Sequence, residues 1–522
     1  MRDTCIAALT THLGLEGDGG VPVSEQAWED AVDLSWCTPE LEVRLHCRKL
    51  VRALAHDLAL LEGRRHSAKA VAEAVHERRR QIGQFLAEWP EGVEADRPSV
   101  AVVEIDRPDD FTSSDHDAKF AVRLGCADAG VLTQFTAVPK QVQGYDSVKD
   151  KEFRAAKAWD DALRQLGVRV HPEHTLGDRL PEGLRFAAVW MVRKTRRNAT
   201  RAAGHLPVAV LVTPDPSTPG QARVEGWDDE VRAWVPYPVL LLRLARRSGA
   251  SVPLVPAPRD GEAPTAGLSY WADRTEQRRA CEEWLQRVRR SLRGTPTMLL
   301  AHGQNMRAHW TWLQDGKVVA DRLRDGHAPM RRIDPDLYLV RVRTARGRET
   351  PQWWAENPAG ANGLTAHLWT APVAEGRTAR VFWSATEKAR TAKLSVAADK
   401  LAPRTNSKGK LVIDTNKAAW NPALVELAVL GCHLEDGDVP EALALAAHQL
   451  RQAPDLPDAL SLPLPLHLAG LAQEYVLPFK PAQGETPDAD AAADGDPDEA
   501  AAPGLDAGPE EGQLALFDAA RA

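Results

Sequence analysis

Four apolar, β-rich runs, with helical segments between the third and the fourth, constrain the fold more than any other feature of this sequence. Three predicted strands follow one another directly, at Phe186–Val192, Val208–Thr213 and Ala222–Glu225. Apolar residues at helical spacing then run through Glu276–Leu292, and a fourth strand is predicted at Thr297–Ala301. This order predicts a mixed sheet covered by helices.

The elements that follow extend the same domain. Two more strands are predicted at Leu337–Val342 and Ala379–Ser384, and an earlier helix around Tyr237–Arg246. Closing helices are predicted around Leu424–Leu430, Glu441–Leu450 and Leu466–Tyr475. Three early strands, a helix, another strand and closing helices are the element order of an RNase H-like mixed sheet, predicted here at residues 181–480.

A small α/β domain is predicted ahead of it, at residues 96–180. Its strands are predicted at Ser99–Ile105 and Val131–Thr136, with one helix between them and a second around Lys157–Leu166. Together the two domains give an α/β fold class for most of the chain.

The two ends of the chain differ from this core. Residues 1–95 are predicted to be mainly helical because apolar residues recur at helical spacing, at Leu50, Val51, Leu54, Leu58 and Leu61. Residues 481–522 are dominated by Ala, Asp, Pro and Gly and carry eleven acids with one base. Such a segment buries too little apolar surface to fold, so a disordered acidic tail is expected.

The net charge of −8 comes from the acidic tail, and the body of the chain ahead of it is nearly neutral. Without residues 481–522, 64 Lys and Arg face 62 Asp and Glu. The bases of this body cluster at Arg193–Arg201, Arg287–Arg293, Arg322–Arg346 and Lys388–Lys410. Basic clusters favour attraction to nucleic-acid phosphates. The alternative is scattered, solvated arginine in an arginine-rich chain.

Cysteine usage and hydropathy favour a cytoplasmic protein. The six cysteines are scattered without a CxxC pair, which argues against zinc and against a disulfide framework. No run approaches the ~20 apolar residues of a membrane span, and the N-terminus lacks a signal-peptide pattern.

Several motifs carry a resemblance to a known family. Asp117–Phe135 (DAKFAVRLGCADAGVLTQF) resembles the helix and strand of Argonaute MID domains that hold a guide's 5′ phosphate. Later motifs stand at Gly303–Trp310, Glu349–Trp354, Ala385–Leu394, Asn416–Leu427 and His448–Ala469. Together they resemble the prokaryotic PIWI family named for a characteristic Arg and Glu (pPIWI-RE).

This resemblance covers roughly Ser99 to Pro478 and implies an architecture. We expect a MID-like Rossmannoid domain followed by an RNase H-like PIWI domain. Family members carry a longer N-terminal region, so the chain is either complete as it stands or one half of a split system.

The resemblance assigns a guide 5′-phosphate site to Lys119, Arg123, Gln134 and Lys157. Arginine suits this role because its guanidinium can contact phosphate through two parallel hydrogen bonds. Argonautes often carry a base-stacking tyrosine at the position matching Lys119, so lysine here exchanges stacking for charge. The alternative is an ordinary solvated face, since Lys119 and Arg123 are one helical turn apart.

The resemblance also implies that Glu426 is the family's characteristic glutamate, with Arg123 as the characteristic arginine. We expect Glu426 on a helix that begins after Pro422. An acid among apolar neighbours is costly to bury unless it is paired, so a basic partner is expected. A surface-facing glutamate on an amphipathic helix is the alternative.

Catalysis in an RNase H-like fold needs carboxylates at strand ends to hold two metal ions. The first strand has Trp190 and Met191 where an aspartate is expected, and the fourth ends in His302. Asp215, Asp228 and Asp229 follow other strands, and loop acids are usually solvated. No catalytic residue is therefore assigned. Magnesium remains possible as a cofactor if the chain is a nuclease, or at the guide's 5′ end.

Two groups of residues are candidates for contact with a guide–target duplex. Asn305 and Arg307 follow the fourth strand. Lys388, Arg390 and Lys393 lie in a run without apolar periodicity, which indicates a loop. Amide and basic groups at these positions can contact nucleic-acid backbone. Structural residues and plain surface are the alternatives.

The tail carries a peptide of its own. Gln513-Leu514-Ala515-Leu516-Phe517 resembles the QLxLF peptide that binds bacterial sliding clamps. In that peptide Gln513 would anchor by hydrogen bonds, while Leu514, Leu516 and Phe517 would fill an apolar cleft.

The leading hypothesis is a guide-dependent, non-cleaving nucleic-acid binder. The resemblance implies a role in defence against plasmids or phage, with a helicase and a separate nuclease as partners. Base pairing would then read the target sequence. A metal-dependent guided nuclease and a clamp-tethered interaction protein are the alternatives. The sequence does not distinguish RNA from DNA as guide or target.

Overall fold

The structure is a computed structural model. It describes residues 2–15, 24–28, 31–39, 41–50, 52–61, 66–88, 98–107, 110–138, 148–172, 174, 179–194, 204–249, 270–324, 326–344, 367–386, 404–405, 411–412, 425–456 and 459–477. The predicted acidic tail lies outside these residues. No helix within them is long and apolar enough to cross a membrane.

The N-terminal region contains a sheet as well as helices. Its elements are α1 (Arg2–His12), β1 (Ser24–Trp28), β2 (Ala31–Cys37), β3 (Glu42–Arg48), α2 (Arg52–Ala55) and α3 (Ala68–Ala87). The three strands pair antiparallel in the order β1-β2-β3. The expectation of a mainly helical region is therefore wrong for residues 24–48. Val32, Leu34 and Trp36 are buried at every second position, a strand period that the helical reading missed.

A parallel β-α-β unit follows. Its elements are β4 (Ser99–Ile105), α4 (Lys119–Asp128), β5 (Val131–Ala137), α5 (Val148–Arg164) and β6 (Val168–Val170). Strands β4 and β5 pair parallel, with Ser99 beside Val131 and Ile105 beside Ala137. Gly125 permits α4 to pack closely on α3, since a Cβ there would lie 2.7 Å from the Arg79 oxygen.

The larger domain begins at residue 185. Its strands are β7 (Arg185–Lys194), β8 (Gly204–Pro214), β9 (Gln221–Asp228), β10 (Ala233–Pro236), β11 (Thr297–His302), β12 (Arg322–Leu323), β13 (Ala328–Pro329), β14 (Leu337–Thr344), β15 (His367–Thr370), β16 (Val381–Ala385), β17 (Arg404–Thr405), β18 (Leu411–Val412) and β19 (Val425–Gly431). Its helices are α6 (Tyr237–Gly249), α7 (Tyr270–Ser291), α8 (Gly303–Met306), α9 (Met330–Ile333), α10 (Pro440–Gln449) and α11 (Leu464–Leu471), followed by a 3-10 turn at Ala472–Tyr475.

Ten of the described strands form one mixed sheet. Its order is β10-β9-β8-β7-β11-β14-β19-β16-β15, and β6 pairs with β9. Strands β7, β8 and β9 are antiparallel neighbours, whereas β11 is parallel to both β7 and β14. This arrangement is the mixed sheet predicted from the element order, with further antiparallel strands added beyond β14.

Strand β19 corrects the predicted helix at Leu424–Leu430. It lies between β14 and β16, and all seven of its residues are buried. A short continuous apolar run does not separate a buried strand from a buried helix by periodicity. The wrong reading placed Glu426 on a helix, whereas it lies inside the sheet.

The two faces of β7 pack against different layers. Ala187, Val189 and Met191 belong to a cluster that includes Trp284 and Val288 of α7. Phe186, Ala188 and Val192 belong to a second cluster, which includes side chains of α4, α6 and α11. The second cluster therefore runs without a break from the small domain into the large one.

Candidate nucleic-acid interface

Arg123 lies on α4 and contacts the last turn of the described chain. Its Nη1 donates to the main-chain oxygen of Glu474 at 2.7 Å, and its Nη2 to the Oε2 atom of Glu474 at 3.2 Å. Its Nε donates to Thr133 Oγ1 at 3.1 Å. The guanidinium also lies 5.2 Å from the ring centre of Phe135 and 4.9 Å from that of Tyr475. All three guanidinium nitrogens are therefore engaged by the protein.

Tyr475 extends this contact to β5 and α5. Burial raises the pKa of its hydroxyl to about 12, so the hydroxyl keeps its proton at pH 7 and donates it to Gln165 Oε1. Gln165 Nε2 donates to Gln134 Oε1 at 3.5 Å. Gln134 Nε2 donates to Asp161 Oδ2 at 3.3 Å. Arg123 and Gln134 thus belong to one polar network.

The two predicted lysines lie at the margins of this network. Lys157 is on α5, with its Nζ 3.2 Å from an Asp160 carboxylate oxygen. Lys119 begins α4, one turn before Arg123, and its main-chain N–H donates to Asp117 at 2.8 Å. The structure therefore brings Arg123, Gln134 and Lys157 onto the neighbouring elements α4, β5 and α5.

Acids of the chain already neutralise bases in this region. Arg123 pairs with Glu474, and Lys157 and Arg164 pair with Asp160 and Asp161. The side chain of Arg123 is only 11% exposed. A phosphate that binds Arg123 must therefore displace an acid, because the guanidinium is not held in an uncompensated positive pocket.

Glu426 is buried in β19 and its basic partner is Arg343 of β14. Arg343 donates from Nε and Nη2 to the two carboxylate oxygens of Glu426, at 2.8 and 2.9 Å. This two-bond geometry is the strong form of a guanidinium–carboxylate contact. Arg123, which the resemblance suggested as the characteristic arginine, pairs instead with Glu474.

A second pair completes a four-residue ionic network. Arg341 lies 3.6 Å from Glu426, and both Arg341 and Arg343 reach Asp315, at 2.7 and 2.9 Å. Burial alone would raise the pKa of Asp315, but hydrogen bonds and charge from the two arginines hold it below its usual value. Two acids are thus balanced by two bases.

This network lies where β11 and β14 end, since His302 of β11 is the register partner of Val342. Two divalent cations need a surplus of carboxylate oxygens at such an edge. Here both acids of the network are held by guanidinium groups.

The other residues at this edge also have structural partners. The rings of Trp190 and His302 lie 5.1 Å apart. His302 Nδ1 accepts the Asn305 main-chain N–H at 3.2 Å and so caps α8. Among the described residues, no three His, Cys, Asp or Glu side chains are grouped so that they could hold a metal ion.

The three acids considered for catalysis are engaged elsewhere, and Asp228 is the last residue of β9 and is buried. Asp215 accepts hydrogen bonds from the main chain and hydroxyl of Ser217. Asp228 pairs with Arg243, and Asp229 pairs with Arg287 of α7 at 2.8 Å. Part of the basic run Arg287–Arg293 is thereby neutralised, and Arg289 and Arg293 both pair with Asp334.

Asn305 binds the protein's own backbone. Its Oδ1 accepts the Met191 N–H at 2.6 Å and its Nδ2 donates to the Met191 oxygen at 2.9 Å. The side-chain amide therefore pairs with the main chain of β7 as a neighbouring strand would. Arg193 also donates to the Asn305 main-chain oxygen, at 2.5 Å. Arg307 is half-buried just after α8, where its N–H donates to the Gly303 oxygen.

The remaining predicted contacts lie outside the described residues. They are Lys388, Arg390 and Lys393 of the basic run, and Gln513, Leu514, Leu516 and Phe517 of the tail.

Sequence reasoning did not identify several residues of these networks. Glu474 and Tyr475 lie 351 and 342 positions from the residues they contact, so no local pattern points to them. Arg341 and Arg343 did leave a signal. Two arginines at alternate positions of a buried strand point to the same face and require acids there.

Comparison with known families agrees with this geometry. The family model described as the RNaseH domain of pPIWI_RE matches residues 186–478, more than half of the chain. The model described as the MID domain of pPIWI_RE matches residues 35–174. No curated protein matches the chain. The predicted fold class and the predicted family are both confirmed: the chain belongs to the pPIWI_RE family, with a MID domain followed by an RNase H-like domain.

Proposed function

We propose that this chain holds the 5′ phosphate of a nucleic-acid guide at the Arg123 site. The observation that carries this proposal is the polar network of Arg123, Gln134 and Gln165 on one parallel β-α-β unit, with Lys157 at its margin. In α/β units, ligands bind beside the ends of the strands and helices. Guanidinium, amide and ammonium groups together supply the donors that a phosphate requires.

We further propose that the guide–target duplex lies on the RNase H-like domain and is not cut there. The four-residue network of Arg341, Arg343, Asp315 and Glu426 supports this, because its acids are already bound to bases. Arg307 and the basic run with Lys388, Arg390 and Lys393 would contact the duplex backbone. Incubating a loaded complex with a matched target and Mg²⁺ tests this part: guide-dependent cleavage would show that a nuclease centre exists.

The test of guide binding compares two charge reversals. Lys157→Glu places an acid in the proposed site, and Lys317→Glu changes the same charge at an exposed position. Short strands that co-purify from native cells are extracted and sequenced. We expect the wild type and Lys317→Glu to carry 5′-phosphorylated strands, and Lys157→Glu to lose about tenfold or more of them. Equal loading of all three proteins would refute the site.

A role in defence against plasmids or phage, with a helicase and a separate nuclease as partners, is the biological setting we propose. It rests on the family membership. Loss of an introduced plasmid only from cells that carry the intact system, and not the Lys157→Glu variant, would support it.

The tail suggests one additional partner. We propose that Gln513, Leu514, Leu516 and Phe517 bind the apolar cleft of a bacterial sliding clamp, since Gln-Leu-Ala-Leu-Phe has the spacing of such ligands. Purified clamp should bind the full chain, and Phe517→Ala should abolish that binding. If the variant binds as well as the wild type, the peptide is not a clamp ligand.

A further inference from the structure

Glu474 supplies Arg123 with an anion from within the chain. Its carboxylate accepts a hydrogen bond from Nη2 of the guanidinium at 3.2 Å. The proposed function requires a phosphate oxygen at this position. This inference rests on that proposed function. It concerns which phosphates can enter the site.

The contact has two parts that can separate. The main-chain oxygen of Glu474 accepts from Nη1 at 2.7 Å, and it is fixed by the turn Ala472–Tyr475. The carboxylate contact is longer, and the Glu474 side chain is 18% exposed. The carboxylate can therefore rotate away while the main-chain bond, the bond to Thr133 and the two ring contacts keep Arg123 in place.

We propose that Glu474 is an internal competitor that makes the Arg123 site selective for a terminal phosphate monoester. A phosphodiester carries one negative charge, as the carboxylate does, so exchanging one for the other gains little. A terminal monoester carries close to two charges at pH 7 and presents three acceptor oxygens. It gains enough from Arg123 to displace the carboxylate, whereas internal backbone phosphates do not.

The neighbouring acids strengthen the same discrimination. Asp160 holds Lys157, and Asp161 accepts from Gln134, so Lys157 also exchanges an acid for a phosphate when a ligand binds. Each exchange is favourable only for an anion that carries more negative charge than a carboxylate.

The test uses Glu474→Gln and three strands of one sequence. The strands end in a 5′ hydroxyl, a 5′ phosphate or a 5′ methyl phosphate, which is a diester with one charge. In the wild type we expect the methyl phosphate strand to bind like the hydroxyl strand and the phosphate strand to bind more tightly. In Glu474→Gln we expect the methyl phosphate strand to bind about fivefold more tightly than the hydroxyl strand.

A matched control keeps net charge equal. Glu435→Gln removes an acid that is 89% exposed and pairs with Arg331, so it should leave the order of the three strands as in the wild type. Glu474→Ala, which keeps the main-chain contact, should repeat the effect of Glu474→Gln. Thermal melting of each variant shows whether it is folded.

The possible failures are distinguishable. If the wild type prefers the phosphate strand, but both Glu474 variants still bind the methyl phosphate strand like the hydroxyl strand, Glu474 is not a competitor and the guide site stands. If no protein distinguishes the three strands, the proposed phosphate site itself is wrong.

Discussion

Replacing Glu426 by glutamine should destabilise the protein strongly, because it leaves Arg343 buried without its principal anion. The Glu426 side chain is 4% exposed and the Arg343 side chain 14%. Removing one partner of a buried ion pair costs about 3–5 kcal/mol. In the variant, Arg343 retains its contact with Asp315 at 2.9 Å. Its two hydrogen bonds to the side chain at position 426 no longer have a charged acceptor. We therefore expect about 3 kcal/mol, at the lower end of that range.

Urea unfolding followed by tryptophan fluorescence measures this loss. Glu435→Gln is the control, since it breaks the exposed pair with Arg331 and should cost far less. The double variant Glu426→Gln with Arg343→Gln should recover part of the loss, because no unpaired guanidinium remains. If Glu426→Gln costs no more than the control, the network does not stabilise the sheet and our reasoning about it is wrong.

Three further predictions concern stability. Asn305→Ala should cost about 1–3 kcal/mol because two hydrogen bonds to Met191 are lost, and an unchanged unfolding midpoint would refute that structural role. Gly125→Ala should cost about 1–3 kcal/mol because its Cβ would approach the Arg79 oxygen. Chemical unfolding measures this loss of stability as well. Burial lowers the pKa of His448 from 6.5 to about 4, so the unfolded chain binds a proton that the folded chain does not. Stability should therefore fall as pH falls from about 6.5 to 4, by about 2 kcal/mol at pH 5, and His448→Gln should show a shallower decline in melting temperature.

The early strands of the large sheet were predictable because each of them carries its own signal in the sequence. The runs at β7, β8, β9 and β11 are apolar, short and separated by turns or a helix, and the structure extends each by only a few residues. The error at β19 has the opposite cause. Its seven residues are buried on both faces, so the alternation that marks a strand is absent.

The candidate sites were predictable only in part. Local motifs placed Arg123 and Gln134 on adjoining elements, as the structure has them. Their partners come from the far end of the chain, and the strand that carries Glu426 lies 83 residues beyond Arg343. Pairings at such separations depend on the order of strands in the finished sheet, which one sequence does not reveal.

The contact between Arg123 and Glu474 also sets when the site can form during synthesis. A ribosome that has released α4 must add some 350 further residues before Glu474 and Tyr475 emerge. Until then the Arg123 guanidinium lacks its carbonyl acceptor and one of its two flanking rings. Contacts between distant segments form late because they require long loops to close. A nascent chain therefore carries an incomplete Arg123 site, and the guide loading that we propose would require the finished protein.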